Sequence, residues 1–426
     1  MTLTLYTLLM RLLLPLALAR LLWRSLRAPA YRRRIGERLA LQNTATGPAE
    51  VWVHAVSVGE VQAAAPLIRH LLARDPPQRV LVTTTTPTGA ARVEDLFGET
   101  VTHRYTPFDL PGMVGRFLDR ARPRLILVME TEIWPNTLAQ AARLGIPVVL
   151  ANARLSARSA RGYGRLQPLT RETLNRFERI AAQAEADARR FRDLGAEPGR
   201  VQVTGSIKFD QRLPASLREQ AEVLRRKWGE RPVWVAASTH EGEEEAVLAA
   251  HRMVRAQVPD ALLVLVPRHP ERFDRTAELV GRSGLKLVRR SAREAWAADA
   301  SVLLGDTMGE LPAFLAAANA AFIGGSLVDV GGHNPLEASA VAVPVATGPR
   351  VFNFAAIVEL LVSEDAAVIV RDAGELGAFM TRWLQDPEER TRVGENGRRV
   401  VEQNRGALGR LTALIEPWLT RADPTP

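Results

Sequence analysis

Carboxylates that stand just beyond apolar runs are where proton-transfer chemistry is expected, and the first half of this 426-residue sequence has three of them. The stretch VWVHAVSVGEVQAAAPLIRHLL reads as a strand, a Gly59-Glu60 turn and an amphipathic helix, so Glu60 falls at or near a helix N-terminus. The partial positive charge there favours an anion. Glu60 is therefore expected to be ionised at neutral pH and ready to take a proton from a bound hydroxyl, although a plain capping glutamate fits the same spacing. In RLILVMETEIWPN a strand delivers Glu130 and Glu132 at its carboxyl end, with Trp134 and Pro135 closing the turn. VQVTGSIKFD puts Lys208 at the same rim, where a lone lysine is more often a solvated charge. Paired carboxylates could hold a divalent cation, but the chain has no Asp-x-Asp pair and no histidine spaced to complete a shell. The chemistry expected is proton transfer without a metal and without a cofactor.

The second half carries residues suited to a phosphate and a nucleoside. LLVLVPRHPERF ends a strand with Arg268 and His269, which together could grip an anion. LLGDTMGELP offers backbone donors around Met308, Gly309 and Glu310 ahead of a helix, a wall for a base or ribose. In AFIGGSLVDVGGHNPLEAS a strand ends at Gly324-Gly325, a glycine-rich loop follows, and Asn334 and Pro335 take good N-cap and N1 positions. Free N–H groups of such a terminus would form an anion site, and Glu337, one turn in, could accept from ribose hydroxyls.

These residues need strands and helices to hold them. From Val51 the sequence repeats a short apolar run, a turn and an amphipathic stretch, the pattern of βαβ units and parallel strands. Strands are expected at Val51–Val56, Val80–Thr84, Leu125–Met129, Pro147–Ala151, Arg179–Ala182 and Val201–Thr204, with helices such as Val61–Ala73 between them. Residues 211–232 contain a charged helical stretch, Leu217–Trp228, and no strand, and read as a linker. The pattern restarts at Val233–Ala237, Ala261–Val266, Leu285–Val288, Val302–Leu304, Ala320–Ile323, Pro344–Ala346 and Ala367–Val370. The fold class is α/β, with two doubly wound domains at 31–210 and 233–400 and a C-terminal helix and tail at 401–426. Ligands of such sheets lie beyond the carboxyl ends of the strands, and a cleft between the two domains is expected.

Hydrophobic residues make up 46% of the chain and charged residues 24%, ordinary for globular domains and unlike a polytopic membrane protein. The absence of cysteine excludes disulfides, thiolate metal sites and cysteine nucleophiles. A net charge of +9 favours anionic partners. Residues 1–30 stand apart: Leu3–Trp23 is apolar but interrupted by Arg11, Pro15 and Arg20, and Arg24, Arg27, Arg32, Arg33 and Arg34 form a cationic collar. This reads as a shallow membrane anchor among anionic lipids with the body on the cytoplasmic side. A soluble helix packed on the first domain is the alternative, and bulky Trp23 with repeated arginine argues against a cleavage site.

Taken in order, the blocks HAVSVGEV, TTTTPTG, YTPFDLP, ETEIWPN, NARLS, GSIKFD, AASTHEGEE, VPRHPERF, LGDTMGEL and GGHNPLE resemble the 3-deoxy-D-manno-octulosonic acid (Kdo) transferases of Gram-negative lipopolysaccharide synthesis over nearly the whole chain. The resemblance implies a GT-B glycosyltransferase fold, CMP-Kdo as donor and co-substrate, a tetraacylated lipid A precursor (lipid IVA) as acceptor, and a place on the cytoplasmic face of the inner membrane. It implies that Glu60 is the proton acceptor and that Glu130 and Lys208 support the transition state. Arg268, His269, Gly309, Glu310, Leu311, Asn334, Pro335, Leu336, Glu337 and Ala338 would bind CMP. Inversion at the anomeric carbon is expected from a single base and no second nucleophile. A nucleotide-sugar epimerase of the same architecture, or a basic membrane-associated protein that binds anions without catalysis, are the rival readings; nucleic acid is not an expected partner.

Overall fold

The protein is described by a computed structural model that covers residues 1–41, 49–210, 213–292 and 299–420. Its contacts divide the chain into two units, Met1–Asp210 with Arg405–Pro426, and Gln211–Asn404. The first unit is built on β1 (Val51–His54), β2 (Val80–Thr84), β3 (Thr102–Tyr105), β4 (Leu125–Met129), β5 (Val148–Ala153), β6 (Arg179–Ala182) and β7 (Val201–Val203), all parallel in the order β3-β2-β1-β4-β5-β6-β7. The second is built on β8 (Val233–Thr239), β9 (Leu262–Pro267), β10 (Leu287–Arg289), β11 (Val302–Leu304), β12 (Ala320–Ile323), β13 (Val345–Thr347) and β14 (Ala367–Ile369), parallel in the order β10-β11-β9-β8-β12-β13-β14. Helices cover both faces, so the central strands are buried end to end and read as continuous apolar runs.

Each sheet reverses its winding beside its first strand, between β1 and β4 in one unit and between β8 and β12 in the other. Those are the places where loops part and leave a crevice beyond the strand ends. Both first strands carry a buried tryptophan at their second residue, and each indole N–H has a partner. Trp52 donates to Thr83 Oγ1 at 2.8 Å, and Trp234 to His251 Nδ1 at 3.1 Å. His251 meets Ser301 O through Nε2 at 2.8 Å, and burial pushes its pKa down to about 3, so it stays neutral with one nitrogen accepting and the other donating.

Three features depart from the sequence reading. Strand β3, with the residues Thr-His-Arg-Tyr, was not among the expected strands because it is polar. Its open edge is closed by side chains instead, with Arg34 Nη2 donating to His103 O (2.9 Å) and Glu37 Oε2 accepting from the Tyr105 N–H (2.9 Å). The stretch expected to be a linker contains a helix, Leu217–Trp228, that belongs to the second unit: its Leu217, Ala221, Leu224 and Trp228 are buried, and Trp228 stacks on Phe314. At the other end the helix Pro387–Asn404 stays with the second unit, while Ala407–Leu419 returns to the first and places Ala407, Leu411, Ile415 and Leu419 in the same core as Val51 and Val53.

The N-terminal residues form one continuous helix, Leu3–Arg27, capped by Thr2 and unbroken at Pro15. Its 24-residue apolar span, Leu3–Leu26, has a mean hydropathy of 1.7, and its leucines are largely exposed.

Candidate active site

Glu60 sits in the first turn of the helix Val58–Leu72, for which Ser57 is the N-cap. Its carboxylate folds back, accepting from the Val56 N–H at 2.8 Å and lying 3.4 Å from the Ser57 hydroxyl. The capping glutamate and the candidate base are thus the same group. Burial is the largest influence on it and raises its pKa from 4.5 to about 8; the Val56 N–H pulls it down, and Glu132 and Glu130 push it further up. The expectation that Glu60 is ionised at neutral pH is corrected here. A helix terminus contributes roughly 0.3–1 kcal/mol to an anion, whereas each pKa unit is about 1.4 kcal/mol, so desolvation wins.

Glu130 follows β4 with φ +56°, a left-handed conformation uncommon outside glycine. Two backbone bonds hold it there, from its N–H to Ala151 O (3.0 Å) and from the Arg154 N–H to its carbonyl (3.3 Å). Such a conformation costs on the order of 1 kcal/mol and marks a side chain whose direction matters. The carboxylate meets Lys208 Nζ at 3.1 Å, both side chains only 15% exposed. Lys208 is therefore not the solvated charge its spacing alone suggests. Its turn, Ile207–Asp210, is fixed at one end by Asn152 Oδ1, which accepts from the Ile207 N–H (3.1 Å), and at the other by Asp210, which accepts from the Gly406 N–H (2.6 Å).

Asn152 is fully buried, is itself left-handed at φ +52°, and keeps an unpartnered Nδ2. Sequence reasoning gave it no role; its place at the end of an apolar strand, in the NARLS block, is the signal that could have found it. Glu132, beside Glu60, is also raised by burial, with the Trp134 indole pulling it down, and the half-buried Tyr163 is raised by desolvation and then by the charge of Glu132. Glu60, Glu130, Glu132, Lys208 and Tyr163 thus form one cluster beyond β1 and β4. Among the described residues no group of histidine and acidic side chains could hold a metal ion.

In the second unit the corresponding crevice holds three imidazoles and a guanidinium. His240 Nε2 lies 2.7 Å from His333 Nε2 with the rings stacked at 6°, and His269 stands edge-on to His240 at 5.3 Å between centroids. One nitrogen of the close pair must donate and the other accept, which requires the accepting ring to be neutral. Burial holds His333 at about 3, with Arg268 next in effect, and burial also lowers His240. The same Arg268 lowers Glu337, which burial raises and which Asn334 Nδ2 approaches at 3.4 Å. Arg268, His269, Asn334 and Glu337 are therefore brought together.

Gly309 is exposed at φ +83°, whereas Glu310 is engaged by Arg290 at 2.7 Å and by the Thr307 hydroxyl, which hold it below the usual carboxylate range. Leu311 opens the helix Leu311–Ala316.

The glycine-rich loop departs from the sequence reading in one respect. The helix after Asn334 and Pro335 is a single turn, Leu336–Ser339, so no helix dipole of ordinary length stands there, although Asn334 caps it as expected, its Oδ1 accepting from the Leu336 N–H at 3.1 Å. The side chains of Leu336 and Ala338 are buried. Earlier in the loop, the fully buried Glu243 accepts from the N–H groups of Gly325 (2.7 Å), Ser326 (2.9 Å) and Leu327 (2.9 Å), and from that of His240 (3.0 Å). An internal carboxylate thus pins the turn that follows β12, and Arg268 with the imidazoles stands beside it.

Residues 33–211 match the family model described as 3-deoxy-D-manno-octulosonic-acid transferase (kdotransferase), and residues 230–400 match that of glycosyl transferases group 1. The chain is 42% identical over 420 residues to a 3-deoxy-D-manno-octulosonic acid transferase of Haemophilus influenzae, covering 98% of each chain. It is 41% identical over 404 residues to one of Bordetella pertussis, covering 92% of each. Among solved structures a UDP-GlcNAc 2-epimerase of Neisseria meningitidis bound to UDP-GlcNAc has a TM-score of 0.56 at 16% identity, over 87% of this chain and 100% of that one. That likeness shows the two-domain GT-B fold alone.

Proposed function

Because the chain belongs to the family of 3-deoxy-D-manno-octulosonic acid transferases, we propose that it moves Kdo from CMP-Kdo to a hydroxyl of the lipid A precursor lipid IVA. In this reading it acts in lipopolysaccharide synthesis, on the cytoplasmic face of the inner membrane, without a metal and with inversion. The observation that carries the reading is Glu60, whose half-buried carboxyl has a pKa of about 8 beside Glu130 and Glu132. A carboxylate matched to the working pH is suited to take a proton from a hydroxyl that becomes a nucleophile. Glu60 ends the step protonated, the new bond joins the hydroxyl oxygen to the anomeric carbon, and the electrons of the broken bond leave with the phosphate of CMP.

Arg268 supplies the positive charge that meets this leaving phosphate, and the neutral imidazoles of His240 and His333 add hydrogen-bonding nitrogens without like-charge repulsion of Arg268. The Glu130–Lys208 pair holds a fixed cation on a carboxylate that the base itself feels. A single base with no second nucleophile accords with inversion.

The test is Glu60→Gln, which keeps the shape and removes the basicity. Transfer of Kdo to lipid IVA, followed by mass spectrometry, is expected to fall by at least ~100-fold while CMP still raises the melting temperature. Turnover near that of the unaltered enzyme refutes the assignment of the base.

A further inference from the structure

The N-terminal helix Leu3–Arg27 is bonded to the first unit at the end where a membrane-crossing helix would have to leave it. The Tyr6 hydroxyl donates to Asp109 Oδ2 at 2.9 Å and the Thr7 hydroxyl to Asn136 Oδ1 at 2.8 Å. Asp109 is a fixed post: it is buried and also accepts from the N–H groups of Asn136 (3.0 Å) and Thr137 (2.7 Å) and from the Thr137 hydroxyl (2.7 Å). At the other end Ser25 is buried and Arg24 lies over the Tyr31 ring at 5.0 Å. From there the chain passes through the turn Pro29–Arg32 to Arg34, bonded to β3. Both ends of the helix are thus held on one body.

At 3.6 residues per turn, Leu5, Leu8, Leu12, Leu16 and Trp23 fall on the stripe opposite Tyr6 and Ser25. That stripe is open, with Leu12 67%, Leu16 65% and Trp23 63% exposed. Arg11 lies on one border of the stripe and Arg20 and Arg24 on the other; all three are exposed, as are Arg32 and Arg33, and the helix contains no acidic residue. An apolar stripe bordered by guanidinium groups matches the boundary between acyl chains and anionic headgroups.

We infer that this helix lies in the plane of an anionic bilayer, its leucine stripe sunk to the acyl boundary, and does not cross the membrane. The inference rests on the membrane location proposed above. A crossing helix would carry Thr2 to the far side of about 30 Å of hydrocarbon. It would have to give up the Tyr6 and Thr7 bonds and take Arg11 and Arg20 into the apolar layer. In the plane, every bond is kept and each guanidinium reaches headgroups. The docked end also adjoins the acceptor cluster, because Asn136 follows the Glu130–Trp134 loop and Tyr6 lies near Tyr163. The bilayer surface is thereby brought to the carboxylates, and a lipid hydroxyl can approach Glu60 while its acyl chains stay in the membrane.

The chain has no cysteine, so one introduced thiol is unique. Thr2→Cys marks the free end of the helix and Glu99→Cys, exposed on the body, marks the body's side. Each full-length variant is treated with a membrane-impermeant maleimide in intact spheroplasts and in inverted inner-membrane vesicles. The expected result is labelling of both thiols in inverted vesicles and of neither in spheroplasts. Labelling of Thr2→Cys from the spheroplast side alone, or recovery of the chain in the soluble fraction, overturns the inference. Labelling needs no turnover: an active enzyme with Thr2→Cys on the far side sinks only this inference, and an inactive chain labelled as expected sinks only the proposed activity.

Discussion

Glu60 is a group whose folded-state pKa, about 8, lies above its ordinary 4.5. Between those values the folded chain holds a proton that the unfolded chain releases, so this group's stabilising contribution is full below about 4.5 and is lost as pH rises towards 8. Glu60→Gln has no such dependence. Its melting temperature relative to the unaltered protein is therefore expected to climb from pH 5 to about pH 8 and then level off, by an amount corresponding to a few kcal/mol at roughly 1.4 kcal/mol per unit; a difference flat with pH contradicts the buried carboxyl. The rate of transfer runs the other way, rising with pH as Glu60 ionises and flattening above about 8. The presence and position of this carboxylate were legible from one strand, one turn and one helix. Its protonation was not, because burial is a property of the folded surroundings and no spacing of residues encodes it.

Among elements, the loop after β12 is shaped by a residue far away in sequence. Glu243 receives three successive N–H groups from Gly325, Ser326 and Leu327, and a Cβ on Gly324 would stand 2.8 Å from Ser238 O and 3.0 Å from Glu243 Oε2. Glu243→Ala leaves those buried donors unpaired. It is expected to destabilise the second unit by about 3–5 kcal/mol and to abolish stabilisation by CMP, whereas Glu278→Ala, on an exposed residue of the same unit, changes neither; urea denaturation checks both. The strand pattern from Val233 to Val370 was legible because buried parallel strands are apolar throughout. Strand β3 was hidden because its residues are polar and its edge is finished by Arg34 and Glu37. In the glycine loop the cap by Asn334 was legible, whereas the distant carboxylate that pins the turn after β12 was not.

For the whole molecule, an enzyme that relies on Glu60, Lys208 and Arg268 for its charges is expected to keep its rate of Kdo transfer in excess EDTA, and a loss restored by added divalent cation contradicts the metal-free reading. CMP is expected to raise the melting temperature by the mass-action amount, about 2.7 kcal/mol at a hundred times its Kd; Arg268→Ala removes most of this gain and Glu60→Gln does not. The path of the chain adds a matter of timing. The core that carries Glu60 is closed by Ala407, Leu411, Ile415 and Leu419, and the turn that carries Lys208 is tied through Asp210 to Gly406. At about 5–20 residues per second, those closing residues leave the ribosome tens of seconds after Asp210, when the intervening unit has already been made. A nascent chain therefore cannot close the core around Glu60 until the second unit has been made, and a ribosome that stalls partway leaves that core open.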